Sequence, residues 1–233
     1  PTITGLNFWR RHSTMATHLD LEEQEQLDQL KHFWNQWGTP ITSVLVVVLG
    51  SFAAWNGWQL WQQRQAEQAA ALADAVTVAI ESQDQGRVAL AFEALKNEYG
   101  STVQASQAAL QVAKSAEAAH KSDTAKAALQ WAADHAEDPG YQAAAKLRLA
   151  ALHVEAKDYD AAAAVLQGAI APEFNALVQD RLGDVLQLQG KTQEAIAAYQ
   201  QAWQQLDPRL EYRALVGFKL NALGVATTTP QAS

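Results

Sequence analysis

Between Lys31 and Arg64 the chain carries no charged side chain, and the twenty residues Ile41–Leu60 at its heart are apolar or small and polar throughout. As a helix rising about 1.5 Å per residue, this run covers about 30 Å, the thickness of a bilayer's hydrocarbon core. Its strong apolar residues (Ile41, Val44, Leu45, Val46, Val47, Val48, Leu49, Phe52 and Leu60) contribute about −3 to −5 kcal/mol of insertion free energy, partly offset by Ser51, Asn56 and Gln59. Tryptophans flank it on both sides, Trp34 and Trp37 before and Trp55, Trp58 and Trp61 after, where indoles favour the headgroup region. Thr39-Pro40 reads as an N-cap followed by the first helical residue. The length and the paired aromatic belts argue against a buried helix of a soluble core. The Trp-Gln-Gln-Arg just beyond it offers no small-x-small cleavage site, so the run reads as an uncleaved anchor. Lys31 and Arg64 balance across it, and charge alone sets no orientation.

The rest of the chain narrows the function by exclusion. With 17 Lys+Arg against 25 Asp+Glu the net charge is −8, which gives no positive field for a phosphate backbone and argues against nucleic acid as partner. The absence of cysteine excludes a disulfide scaffold, a thiol nucleophile and a zinc-thiolate site without fixing the compartment. The one methionine is Met15, so translation is expected to begin there, with Pro1–Thr14 a non-native extension. An acidic stretch runs from Asp20 to Asp28, and through it and beyond Leu27, Leu30, Trp34 and Trp37 recur at helical spacing and predict a short amphipathic helix.

Beyond Arg64 alanine-rich helical patterns alternate with polar breaks at Gln83–Gly86, Tyr99–Ser101, Lys121–Asp123, Asp138–Gly140, Lys157-Asp158, Ala171-Pro172, Gln189–Lys191 and Asp207-Pro208, so the class is all-α. The pattern repeats. Leu182-Gly183, Gly190, Ala195, Tyr199 and Ala202 stand 33 positions after Leu149-Ala150, Lys157, Ala162, Leu166 and Ala169. A further copy, 37 positions upstream, runs through Val112-Ala113, Ala125, Leu129 and Ala132, and Ala71–Tyr99 is expected to hold a fourth, eroded hairpin. Small residues let paired helices approach and large ones fill the space between hairpins, which must stack to cover their apolar faces. The period and the L-G…G…A…Y…A order resemble the tetratricopeptide repeat and imply a helical-hairpin solenoid. Leu210, Leu215, Phe218 and Leu223 are expected to form a terminal helix over the last hairpin, before a disordered tail at 225–233.

No HExxH, P-loop, GxGxxG or GxSxG stands in the chain, and His153-Val-Glu155 is no more than a pair on a core helix. An enzyme reading therefore has no motif to carry it, and no catalytic residue, cofactor or metal ligand is assigned. Asp158, Asp160, Glu137 and Asp138 sit where helices start and read as caps. Within the anchor, Gly50, Ala54 and Gly57 share one face and could admit a partner helix closely, or could be ordinary membrane-helix composition. Mapping the tetratricopeptide groove by the 33-residue register places Leu147, Ala151 and Val154 beside Asp180, Asp184 and Gln187, a half-apolar, half-acidic surface suited to weak polypeptide binding. The same positions could instead be covered by a neighbouring hairpin or terminal helix.

The acidic leader Glu22–Leu27, the segment Lys31–Gly38, a single span, its exit Gly57-Trp58-Gln59-Leu60-Trp61 and the alanine-rich repeats occur together in an order that resembles the YfgM family of Gram-negative bacteria. The resemblance runs from Met15 to the end of the final helix and brings no catalytic residues. It implies an inner-membrane protein with a cytoplasmic N-terminal segment (1–38), a transmembrane helix (39–61) and a periplasmic repeat domain (62–224). It further implies contact with the SecYEG translocon, a PpiD-like periplasmic chaperone, translocating polypeptides and membrane lipid, in passing polypeptides toward folding factors. The leading Pro1–Thr14 and the few flanking cations depart from the pattern. The rivals are a repeat adaptor of another envelope assembly, such as secretion, pilus or division machinery, and a hydrolase or cofactor enzyme in a helical shell.

Overall fold

A computed structural model describes residues 21–227, with side chains from residue 31. Met15, the expected extension Pro1–Thr14 and the last residues, 228–233, lie outside the described residues, and the apolar stripe at Leu27 and Leu30 lies outside the described side chains. Among the described residues there are nine α-helices and no strand. The chain divides into two units, Pro1–Leu60 and Trp61–Ser233, and α1 (Leu21–Glu81) belongs partly to each.

In the first unit the apolar run is helical and its side chains lie open: Val44 is 64% exposed, Val47 66% and Phe52 67%. Among the described residues of this unit nothing covers them, which is the condition of a span awaiting lipid and not of a core helix. The helix is long and apolar enough to cross a membrane. Its polar residues bond back onto their own helix, Ser51 Oγ to Val47 O at 2.7 Å and Asn56 Nδ2 to Phe52 O at 2.9 Å, so they present few unpaired groups to hydrocarbon.

One boundary expected from sequence is corrected here. Thr39 is not an N-cap and Pro40 does not open a helix; α1 runs through Pro40 without a break. Proline removes one backbone bond from a helix interior, the one that Gln36 O would accept, and hydroxyls just downstream add bonds to the neighbouring carbonyls. Thr42 Oγ1 lies 2.7 Å from Gly38 O and 3.0 Å from Thr39 O, and Ser43 Oγ donates to Thr39 O at 2.8 Å.

The second unit is a stack of hairpins. The C-terminal part of α1 pairs with α2 (Gln85–Tyr99), α3 (Val103–Ala118) with α4 (Ser122–His135), α5 (Pro139–Glu155) with α6 (Tyr159–Gln167), and α7 (Pro172–Leu188) with α8 (Thr192–Gln205), before α9 (Glu211–Ala222). Each hairpin turns through one left-handed residue: Gln83, His120, Lys157 and Gly190, with φ of 57°, 56°, 59° and 74°. The four stand 37, 37 and 33 residues apart, which makes the eroded first hairpin a true member of the series. At every turn the next amide reaches back to the preceding helix, Asp84 to Ala79 O, Lys121 to Ala116 O, Asp158 to His153 O and Lys191 to Leu186 O, the closing bond of a Schellman motif. Asp84, Asp138 and Asp158 then cap α2, α5 and α6 through their carboxylates.

The repeat alanines do what their size predicts: Ala125, Ala162, Ala195, Ala132 and Ala202 are fully buried, against Leu129, Leu166 and Tyr199. Ala169 is the exception. Helix α6 ends at Gln167, so Ala169 lies beyond it, exposed, with its carbonyl accepting from Lys146 Nζ. Two core clusters result, one around Phe92, Leu95, Leu129 and Leu149 and one around Leu166, Val178, Tyr199 and Leu220, with Val165 packed against both.

Candidate functional site

The surface that sequence assigns to polypeptide binding lies along α5 and α7. Leu147 and Val154 are half-buried and packed on the second core cluster, and Ala151 is exposed between them. On α7 Gln187 is exposed and Asp184 half-buried, but Asp180 is fully buried. Asp180 therefore lines no open groove, and the reason is α9. Tyr212 donates its hydroxyl to Asp180 Oδ2, and Lys219 Nζ donates to Asp180 Oδ1 at 2.8 Å and to Asp184 Oδ1 at 2.6 Å. Tyr199 donates to Asp184 Oδ1 at 2.7 Å and Arg181 pairs with Asp184 Oδ2 at 3.2 Å, so two carboxylates meet two cations. The acidic half of the expected groove is a closed seam, and the apolar half keeps partial exposure.

Burial pushes the phenols of Tyr199 and Tyr212 far above the usual tyrosine range, helped by the carboxylates Asp184 and Asp180 that accept from them. Both are neutral donors at any physiological pH. The register explains the contrast between the two helices. Positions that meet the next element are Leu110 on α3 and Leu147 on α5 but Asp180 on α7, because α7 and α8 are followed by α9 bearing Tyr212 and Lys219. Helix α9 also turns a different face inward from the one expected: Val216 and Leu220 are buried, whereas Leu215 is 47% and Phe218 69% exposed. Sequence reasoning followed the large apolar residues and missed Tyr212 and Lys219. Their signal was their spacing of seven, two turns of one helix face, opposite two aspartates four apart.

On α1 the small residues Gly50, Ala54 and Gly57 are exposed and, at i, i+4 and i+7, share one helical face. A Cβ added at Gly50 or Gly57 meets nothing within 4 Å, so neither glycine is required by the chain's own packing.

Sequence reasoning did not single out a further concavity, between the C-terminal part of α1 and α3. Two open clefts meet at Thr77 and Gln111, whose Oγ1 and Oε1 lie 3.3 Å apart. The larger, of about 710 Å³, reaches Ile80, Lys114 and Ser115; the smaller reaches Ala70, Gln104 and Gln107. Among the described residues no group of three or more His, Asp or Glu is placed to hold a metal ion. These surfaces present half-buried aliphatic groups, side-chain amides and a small-residue helix face.

The family described as tetratricopeptide repeat-like domain matches residues 31–225, taking in the apolar helix and all the hairpins. An ancillary SecYEG translocon subunit of Neisseria gonorrhoeae (strain ATCC 700825 / FA 1090) is 32% identical over 155 residues, covering 66% of this chain and 74% of the relative. With an apolar helix ahead of its hairpin solenoid, this chain belongs to that tetratricopeptide repeat-like family, in the YfgM-like branch that its sequence resembles.

Proposed function

We propose that the protein is a single-pass inner-membrane scaffold, an ancillary subunit of the SecYEG translocon that helps pass translocated polypeptides to periplasmic chaperones. The observation that carries this reading is the family match at residues 31–225, because span and repeats belong to one unit of descent alongside a relative named for the translocon. The N-terminal segment lies in the cytoplasm and the repeats in the periplasm, where a PpiD-like chaperone is the expected neighbour. The role is one of binding without catalysis. Helix packing at Gly50, Ala54 and Gly57 supplies the contact within the bilayer. Leu147, Ala151, Val154 and Gln187 supply a weak contact surface on the repeats, next to the seam that Asp180 and Asp184 form with α9.

Site-specific photocrosslinking in intact cells tests the proposal. Probes at residues 50, 54 and 57 should capture SecY, SecE or SecG, and probes at 151 and 187 should capture a periplasmic chaperone or a nascent secretory chain. Capture of another envelope machine's components in place of these would overturn the translocon assignment.

A further inference from the structure

The face that stacking covers in the later hairpins lies open in the first. By the intervals of 37, 37 and 33 residues between the turns, Ala71 corresponds to Ala108, Ala145 and Val178, and Ala75 to Val112, Leu149 and Leu182. The later residues are all buried, from 0% to 7% exposed, whereas Ala71 and Ala75 are exposed. Every hairpin has two helices and an element after it, so what sets the first apart is that no hairpin precedes it among the described residues. The open face is apolar. Val78 is 62% and Leu90 74% exposed, and with Ala75, Ala91 and Arg87 they line one shallow cleft between α1 and α2. A solenoid end in water carries a polar outer face, and this one does not.

We propose that this face docks a basic amphipathic helix of another protein, which takes the place a preceding hairpin would fill. A helix is what the corresponding positions receive elsewhere in the stack. Small residues at Ala71, Ala75 and Ala91 admit one closely, and Val78 and Leu90 supply apolar area. Charge selects which helix. Glu67, Asp74 and Glu81 follow one another at intervals of seven and so share one side of α1, and Glu67 and Asp74 stand one turn before Ala71 and Val78. All three are exposed and none is held in an ion pair among the described residues, while Arg87, the cation on the face, already lies 3.2 Å from Asp84. A helix with an apolar stripe edged by lysine or arginine therefore complements both parts of the surface. Pairing with the same face of a second copy would instead bring like rows of carboxylates together. None of the apolar residues of this face lines the clefts at Thr77 and Gln111, and the inference does not depend on the translocon assignment.

The test uses the full chain in nanodiscs of zwitterionic lipid and a fluorescent helical peptide with a leucine stripe edged by lysines, beside a version in which glutamates replace the lysines. Fluorescence anisotropy should show wild type binding the lysine peptide about ten-fold more tightly than the glutamate peptide. Val78→Gln with Leu90→Gln should weaken binding of the lysine peptide about ten-fold. Both side chains are exposed and glutamine is a good helix former, so an unchanged thermal midpoint is expected and separates lost contact from lost fold. Glu67→Lys, Asp74→Lys and Glu81→Lys together should reverse the preference, a gain of binding to the glutamate peptide that an unfolded variant does not give. Wild type that binds neither peptide, a Val78 and Leu90 variant that binds like wild type, or a charge-reversed variant that keeps the lysine preference overturns the docking site. Self-association in sedimentation velocity that the Val78 and Leu90 variant abolishes also overturns it, by assigning the face to a second copy. None of these outcomes touches crosslinking to SecYEG from residues 50, 54 and 57, which decides the translocon reading separately.

Discussion

Gly183 and Tyr199 are one design choice made twice over. A Cβ at Gly183 would meet Tyr199 Cε1 at 2.5 Å and Cδ1 at 2.6 Å, and Tyr199 is fully buried with its hydroxyl held by Asp184. In the two preceding hairpins the corresponding pairs are Ala150 with Leu166 and Ala113 with Leu129, a larger residue facing a smaller one. Gly183→Ala should therefore destabilise the domain by about 1–3 kcal/mol through overpacking, and adding Tyr199→Leu should recover part of that loss; additive effects in a urea denaturation cycle would sever the two residues. The turns offer the opposite experiment. His120 and Lys157 occupy a left-handed conformation that costs a side-chain-bearing residue about 1–2 kcal/mol, less the entropy glycine loses. Replacing either with glycine, as Gly190 already is, should raise stability by about 0.5–1 kcal/mol, read as a higher denaturation midpoint with an unchanged slope.

At the scale of the element, α9 is held by a seam whose charges cannot be removed one at a time. Lys219→Ala would leave Asp180 buried and short of a cation, a loss of about 3–5 kcal/mol for a pair of this kind, whereas Asp180→Leu with Lys219→Met should restore most of the thermal midpoint. The tyrosines give the seam a signature in alkali. A phenol whose folded pKa is raised contributes stability that is complete below the unfolded value of about 10 and is lost as pH climbs beyond it. Of the five tyrosines, Tyr199 and Tyr212 should thus ionise only as the domain unfolds, visible as missing absorbance change near 295 nm until the circular dichroism collapses. Simultaneous titration of all five in the folded state would remove the basis for a buried seam. These elements were unequally legible in the sequence. The breaks at Gly190, Asp138-Pro139 and Ala171-Pro172 declare themselves, because glycine, proline and capping aspartate act locally. The inward face of α9 does not, because Tyr212 and Lys219 outrank Leu215 and Phe218 only once Asp180, over thirty residues earlier, is known to need them. Pro40 misled because proline ahead of an apolar run is a common way for a helix to open, whereas α1 already begins at Leu21.

For the whole molecule, the anchor and the repeats make separable predictions. A Cβ at Gly50 meets nothing within 4 Å among the described residues, so Gly50→Leu with Ala54→Leu should leave the repeat domain's melting unchanged while reducing recovery of SecYEG components in mild detergent. Equal recovery would return these residues to ordinary membrane-helix composition. Protease added to spheroplasts should degrade the region after Arg64 and spare the N-terminal segment; the reverse pattern inverts the proposed topology. The seam between α7 and α9 also bears on how such an array can grow. A hairpin of the Leu147 and Val154 type inserted ahead of α9 would set an apolar neighbour against Asp180 and strand its carboxylate. Hairpins can be gained or exchanged upstream of α7, but the last hairpin and its cap must travel together, as a cassette whose fit is a matter of valence. Transplanted as a block to the end of a foreign solenoid, α7–α9 would act as a terminator that accepts only its own helix.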